Sequence, residues 1–113
     1  MQESSKLREQ LTTQSAELGR AIPETMRAFH GLMKSASSSG ELSTKVKELM
    51  ALAISIAMRC DGCIVYHVEN AAKHGATRAE IAETVGVAIE MGGGPAMVYG
   101  SKALAFYGER SPT

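Results

Sequence analysis

A chain of 113 residues with 44% apolar side chains but two Phe, three Tyr and no Trp has material for one core, built from Ala, Leu, Ile, Val and Met, a mixture that favours close-packed helices. Lys plus Arg equals Asp plus Glu at 12 each, without a block of like charge, so the electrostatic footprint of a nucleic-acid or anionic-membrane binder is missing. The start of the chain lacks the basic and apolar regions of a signal peptide. The longest apolar run, Leu49 to Met58, is ten residues, well short of the roughly 18 needed to cross a bilayer, so the expectation is a soluble, cytoplasmic protein with no membrane partner.

No strand-like alternation is found, and turn residues divide the chain into helical segments, which predicts an all-α domain of about six helices. The domain is expected to span 1–113, with a core over about 23–107 and a polar N-terminal helix within 1–20. Pro23 suits the first turn of a second helix that puts Met26, Phe29, His30 and Met33 on one side, and the serine run Ser37–Ser39 with Gly40 ends it. Ser43 is the expected cap of a third helix, Thr44 to about Met58, apolar around most of its circumference. A helix apolar all round is covered on all sides, and in so small a protein that points to a partner subunit. A fourth helix starts at Cys60–Cys63 and ends before Gly75, suited to its C′ position. Thr77 and Glu80 have the spacing of a capping box for a fifth helix, ending near Met91, and Pro95 starts a sixth, ending near Tyr107.

The stretch Arg59 to His67 carries both cysteines, Cys60 and Cys63, with a histidine four places after the second. A disulfide over so short a loop removes little unfolded-chain entropy, so a bond between them would serve chemistry rather than stability. In a reducing compartment the spacing reads as redox or metal. On one helical face the two Cβ atoms stand roughly 5–6 Å apart, which a disulfide accepts. The N–H groups and dipole of a helix N-terminus favour a thiolate. His67 stacks over Cys63 and can take its proton near neutral pH, making Cys63 the nucleophile, His67 its base and Cys60 the resolving thiol. An orienting carboxylate is available in Glu48 of the third helix. With a hairpin bend near Arg59, Glu48 lies about 16 Å back along one arm and His67 about 10 Å along the other, a difference of about one turn.

The pattern E-x11-C-x2-C-x3-H, within the segment from Lys47 to Ala96, strongly resembles the AhpD-like proteins of the carboxymuconolactone decarboxylase superfamily, over roughly Pro23 to Ala105. The resemblance implies an all-helical fold assembling as a homo-oligomer, trimer or hexamer, and thiol-dependent alkylhydroperoxidase or disulfide reductase activity without a cofactor. It implies that Cys63 attacks a hydroperoxide, that Cys60 resolves, and that Glu48 and His67 relay the proton. It further implies a dithiol reductant, lipoyl-bearing or thioredoxin-like, and a peroxiredoxin as acceptor. One departure stands out: the best-studied AhpD proteins carry an additional histidine where this chain has Gly62.

Three bland readings compete. Cys60, Cys63, His67 and Glu48 supply the four ligands of a zinc site; the same pair serves a non-enzymatic redox sensor; and the chain is a decarboxylase that retains its cysteines. Glu48 alone reads as an exposed residue paired with Lys45 or Lys47. His30 and His74 read as structural, with the alternative that His30 borders the pocket; Tyr66 and Tyr99 read as packing or subunit contacts, and the seven Met as core filler, some suited to an apolar entrance for organic hydroperoxides.

Overall fold

Local capping chemistry sets the limits of six helices: α1 (Glu3–Ala21), α2 (Pro23–Ser37), α3 (Thr44–Ala57), α4 (Asp61–Lys73), α5 (Arg78–Gly92) and α6 (Gly94–Glu109). The computed structural model describes residues 3–110, and among these there is no strand. Residues 111–113 lie outside the described part, and Gly108 and Glu109 extend α6 two residues past the end expected near Tyr107. Ser43 caps α3 by accepting from the Val46 N–H at 3.2 Å. Thr77 and Glu80 form both halves of the capping box, at 3.1 and 2.9 Å. The α4 terminus closes with Gly75 at φ 93°, and the Ala76 N–H reaches back to the Ala71 carbonyl at 2.9 Å, a backbone turn that glycine adopts at little steric cost.

Helices α3 and α4 fold back on each other, as do α5 and α6, and the two hairpins pack together around Leu52, Ile56, Ile64, Val68, Ile81 and Phe106. The interhelical fit is close. A Cβ on Gly100 of α6 would lie 2.4 Å from Cγ1 of Val85 on α5, so glycine lets these backbones approach. Helix α1 lies over α4 and α6, held by the Arg8–Glu69 ion pair and by Ser4, whose N–H and Oγ each donate to Glu109 at 2.9 Å.

The chain covers α2 and α3 only in part. Helix α2 buries none of its residues, so Phe29 and His30 are exposed and its apolar side faces a cleft rather than the core. Helix α3 buries Glu48, Leu52, Ser55 and Ile56, but Val46, Met50, Ile54 and Met58, spaced four apart, form a bare apolar stripe. The chain alone therefore covers only one side of α3.

Candidate functional site

The three residues between α3 and α4 orient the cysteines. Arg59 adopts φ 59°, the left-handed conformation that ends α3. That turns the chain so that the N–H of Cys60 donates back to the Ser55 carbonyl at 3.1 Å. Cys60 also sits at the N-cap of α4, where its sulfur accepts from the Cys63 N–H at 3.2 Å. It thus stands one position outside the first helical turn in which the sequence reading placed it. One residue closes one helix and opens the next, which leaves its sulfur facing Cys63. The two are disulfide-bonded, with Cα atoms 5.2 Å apart, and both are partly exposed.

Between the cysteines, Asp61 brings a negative charge that opposes an adjacent thiolate. Lys102 of α6 answers it, its Nζ 3.0 and 3.1 Å from the two carboxylate oxygens. The hydrogen bond to Asp61 holds the Lys102 ammonium above its ordinary pKa. The mixed pair leaves the helix N-terminus, rather than Asp61, to dominate the field at the sulfurs.

Glu48 is 5% exposed, the most deeply buried charged residue among those described. It does not pair with Lys45 or Lys47: Lys45 reaches Glu80 on α5 at 2.9 Å, and Lys47 donates to the Ser38 carbonyl at 2.6 Å. Instead Oε1 of Glu48 lies 2.7 Å from Nδ1 of His67. An ionised carboxylate only accepts, so Nδ1 carries the hydrogen and Nε2 is left to exchange protons. His67 follows Cys63 by one turn of α4, about 6 Å along the axis. Among the described residues His67 hydrogen-bonds to Glu48 and to neither sulfur, as fits a pair already oxidised.

The dyad opens on a cleft of about 690 Å³ between α2 and the α3–α4 hairpin. Phe29, Leu32, Met33 and Ala51 give it apolar walls; His30 and His74, expected to be structural, line it with His67, and so does Tyr66, whose ring packs edge-on against that of His67. The sequence offered an apolar entrance but not its walls, because these depend on how far α2 stands off, which no local pattern encodes. Among the described residues no three His, Cys, Asp or Glu side chains are grouped as a metal site requires. No described helix is long and apolar enough to cross a membrane.

Gly62, the position of the additional histidine in the best-studied AhpD proteins, has a steric account. A Cβ there would lie 2.8 Å from Cδ1 of Leu11, because α1 runs over this turn. The end of the Leu11 side chain would have to shift to admit any side chain at this position.

Residues 23–106 match the carboxymuconolactone decarboxylase family, covering most of the chain and all four residues of the motif. The chain belongs to the carboxymuconolactone decarboxylase family. A member of this family from Legionella pneumophila, solved in its apo form, superimposes with a TM-score of 0.92 at 40% identity, over 95% of this chain and 96% of that one. Another, from Thermotoga maritima, for which a part in the antioxidative response has been suggested, gives a TM-score of 0.80 at 33% identity, over 92% of this chain and 88% of that one. An uncharacterized protein of Cupriavidus necator is 45% identical over 98 residues, 87% of each chain. One encoded in the cox locus of Paracoccus denitrificans is 38% identical over 93 residues, 82% of this chain and 84% of that one. The family carries the all-helical fold expected of AhpD-like proteins, and this member retains the paired cysteines.

Proposed function

We propose that this family member is a thiol-dependent hydroperoxide reductase that works through Cys63, Cys60, His67 and Glu48. The observation that carries the reading is the 2.7 Å contact between Glu48 and His67, one helical turn from a cysteine already bonded to its neighbour. A buried carboxylate fixes the ring, its free nitrogen serves as base, and a sulfur at a helix N-terminus is the nucleophile.

In the reduced protein His67 Nε2 takes the Cys63 proton. The thiolate attacks the distal oxygen of a hydroperoxide; the O–O bond breaks, an S–O bond forms, and the proton returns to the leaving oxygen to give an alcohol. The Cys60 thiol then displaces water from the sulfenic acid, forming the disulfide. An external dithiol, lipoyl-bearing or thioredoxin-like, reduces it by two thiol–disulfide exchanges and is itself oxidised to a disulfide. The Cys63 N–H at the Cys60 sulfur stabilises a thiolate leaving from that position, so the reductant attacks Cys63 first. Self-association through the bare stripe Val46–Met50–Ile54–Met58 belongs to the same proposal, because a soluble monomer rarely leaves so regular an apolar row on one helix face.

Trapping the sulfenic acid tests the assignment. In Cys60→Ser protein given one equivalent of hydroperoxide, a dimedone adduct is expected on Cys63. Its absence, with the Cys63 thiol unreacted, rejects Cys63 as the nucleophile.

A second reading rests on a different observation: Glu48 and His67 line the cleft, whereas the two cysteines do not. An acid–base dyad on a cleft suits decarboxylation of a small lactone acid without sulfur chemistry. Turnover of such a substrate by a Cys60→Ser/Cys63→Ser variant would favour it.

A further inference from the structure

Resting on the hydroperoxide-reductase reading, we propose that the cleft selects hydroperoxides bearing a carboxylate, held by Lys34 and Lys47 while their hydrocarbon body lies along α2.

The cleft has three chemically different parts. Its walls are apolar, from Phe29, Leu32 and Met33 on α2 and Ala51 on α3. At one point the Glu48–His67 pair meets the space, and beyond His67, about one helical turn along α4, lies Cys63. At the rim stand Lys34 and Lys47. Glu48 is the one carboxylate in the lining, and His67 already engages it. Lys47 donates to a backbone carbonyl, which leaves its positive charge uncompensated, and among the described residues neither lysine makes an ion pair. An apolar groove with net positive charge at its rim complements an amphipathic anion. A neutral alkyl hydroperoxide would fill the apolar part and leave both ammonium groups without a counter-charge. A carboxylate at one end of the same molecule satisfies them and orients the other end toward the dyad and Cys63.

The test compares linoleate hydroperoxide with its methyl ester, which keeps the hydrocarbon body and the hydroperoxide but removes the charge. Wild-type protein is expected to show a kcat/KM about tenfold higher for the acid, the scale of two partly exposed ion pairs, and the preference is expected to vanish in Lys34→Gln/Lys47→Gln. Equal kcat/KM for acid and ester in the wild type would overturn the inference while leaving the reductase reading intact. A preference that survives in the double variant would overturn the assignment to these lysines. Calorimetric titration with decanoate and methyl decanoate, which do not react, reads the cleft independently of turnover. Tighter binding of the acid, weakened about tenfold in the double variant, supports the inference; no binding of decanoate overturns it. Should neither hydroperoxide be consumed although decanoate binds in this way, the reductase reading fails and the anion site stands.

Discussion

The Glu48 carboxylate and the His67 ring, 19 residues apart in sequence and on different helices, meet at 2.7 Å with the carboxylate almost wholly out of solvent. Burying a carboxylate is unfavourable unless a partner compensates it. The pair is therefore a packing feature of the α3–α4 hairpin, and in the proposed function it is also the proton relay.

Removing the carboxylate separates these roles. Glu48→Ala is expected to lower peroxidase kcat/KM by about a hundredfold to ten-thousandfold, the usual contribution of a positioned acid–base group. It should also destabilise the fold by about 1.5–3 kcal/mol, the range for a hydrogen bond to a charged group, because the neutral His67 ring left behind is 22% exposed and regains hydration. Glu48→Gln keeps an acceptor for Nδ1–H and should recover most of the stability but little of the rate. Urea denaturation and steady-state kinetics on both variants give the comparison; equal activity in all three proteins would remove Glu48 from the relay.

The turn around Gly62 makes a steric prediction. Introducing the additional histidine, Gly62→His, forces the new Cβ against the end of the Leu11 side chain, which can shift, and should cost at most about 1 kcal/mol, the low end for overpacking. Combined with Leu11→Ala, the histidine gains room and the penalty should largely disappear. Thermal denaturation of the four proteins in this double-mutant cycle measures the coupling, and strictly additive effects would contradict the contact.

Acid should loosen α1. Two hydrogen bonds from Ser4, backbone first and then side chain, hold the Glu109 carboxyl below its ordinary pKa of 4.5. The unfolded chain therefore binds this proton at higher pH than the fold does. The stabilisation is complete above about 4.5 and is lost as pH falls through the lower folded-state value. Hydrogen exchange of the α1 amides, corrected for intrinsic rates, should show protection falling over that interval in the wild type and already reduced near neutrality in Glu109→Ala. Protection in the wild type that is flat across the interval would contradict the linkage.

Helix boundaries were legible in the sequence wherever a side chain or a glycine performs the capping, as at Ser43, Thr77–Glu80 and Gly75. The approach of Glu48 to His67 was legible too, since positions within about one turn of equal distance from a hairpin bend lie close enough for a glutamate and a histidine to span the gap. What escaped depends on tertiary geometry. Arg59 takes the left-handed conformation without glycine's freedom, and Leu11 occupies the neighbourhood of Gly62 from a helix half the chain away. The all-round apolarity of α3 pointed to cover from beyond the chain, but with apolar residues on most of the circumference no period says which face the chain itself leaves bare.

The bare stripe on α3 gives a mutational test of self-association. Ile54 is 57% exposed in the single chain, so Ile54→Glu should leave the helical content unchanged. In an assembly built on this stripe, the charge would be buried unpaired and weaken association by about tenfold to a hundredfold. Light scattering over a concentration series would detect it. An unchanged mass for the variant would place the interface elsewhere.

The most direct measurement is steady-state consumption of an organic hydroperoxide with excess dithiol, for wild type and Cys63→Ser side by side. Sustained turnover by the wild type, and a rate at the protein-free background for the variant, are the predicted results. Equal rates for the two proteins would contradict a reaction carried by the Cys63 sulfur.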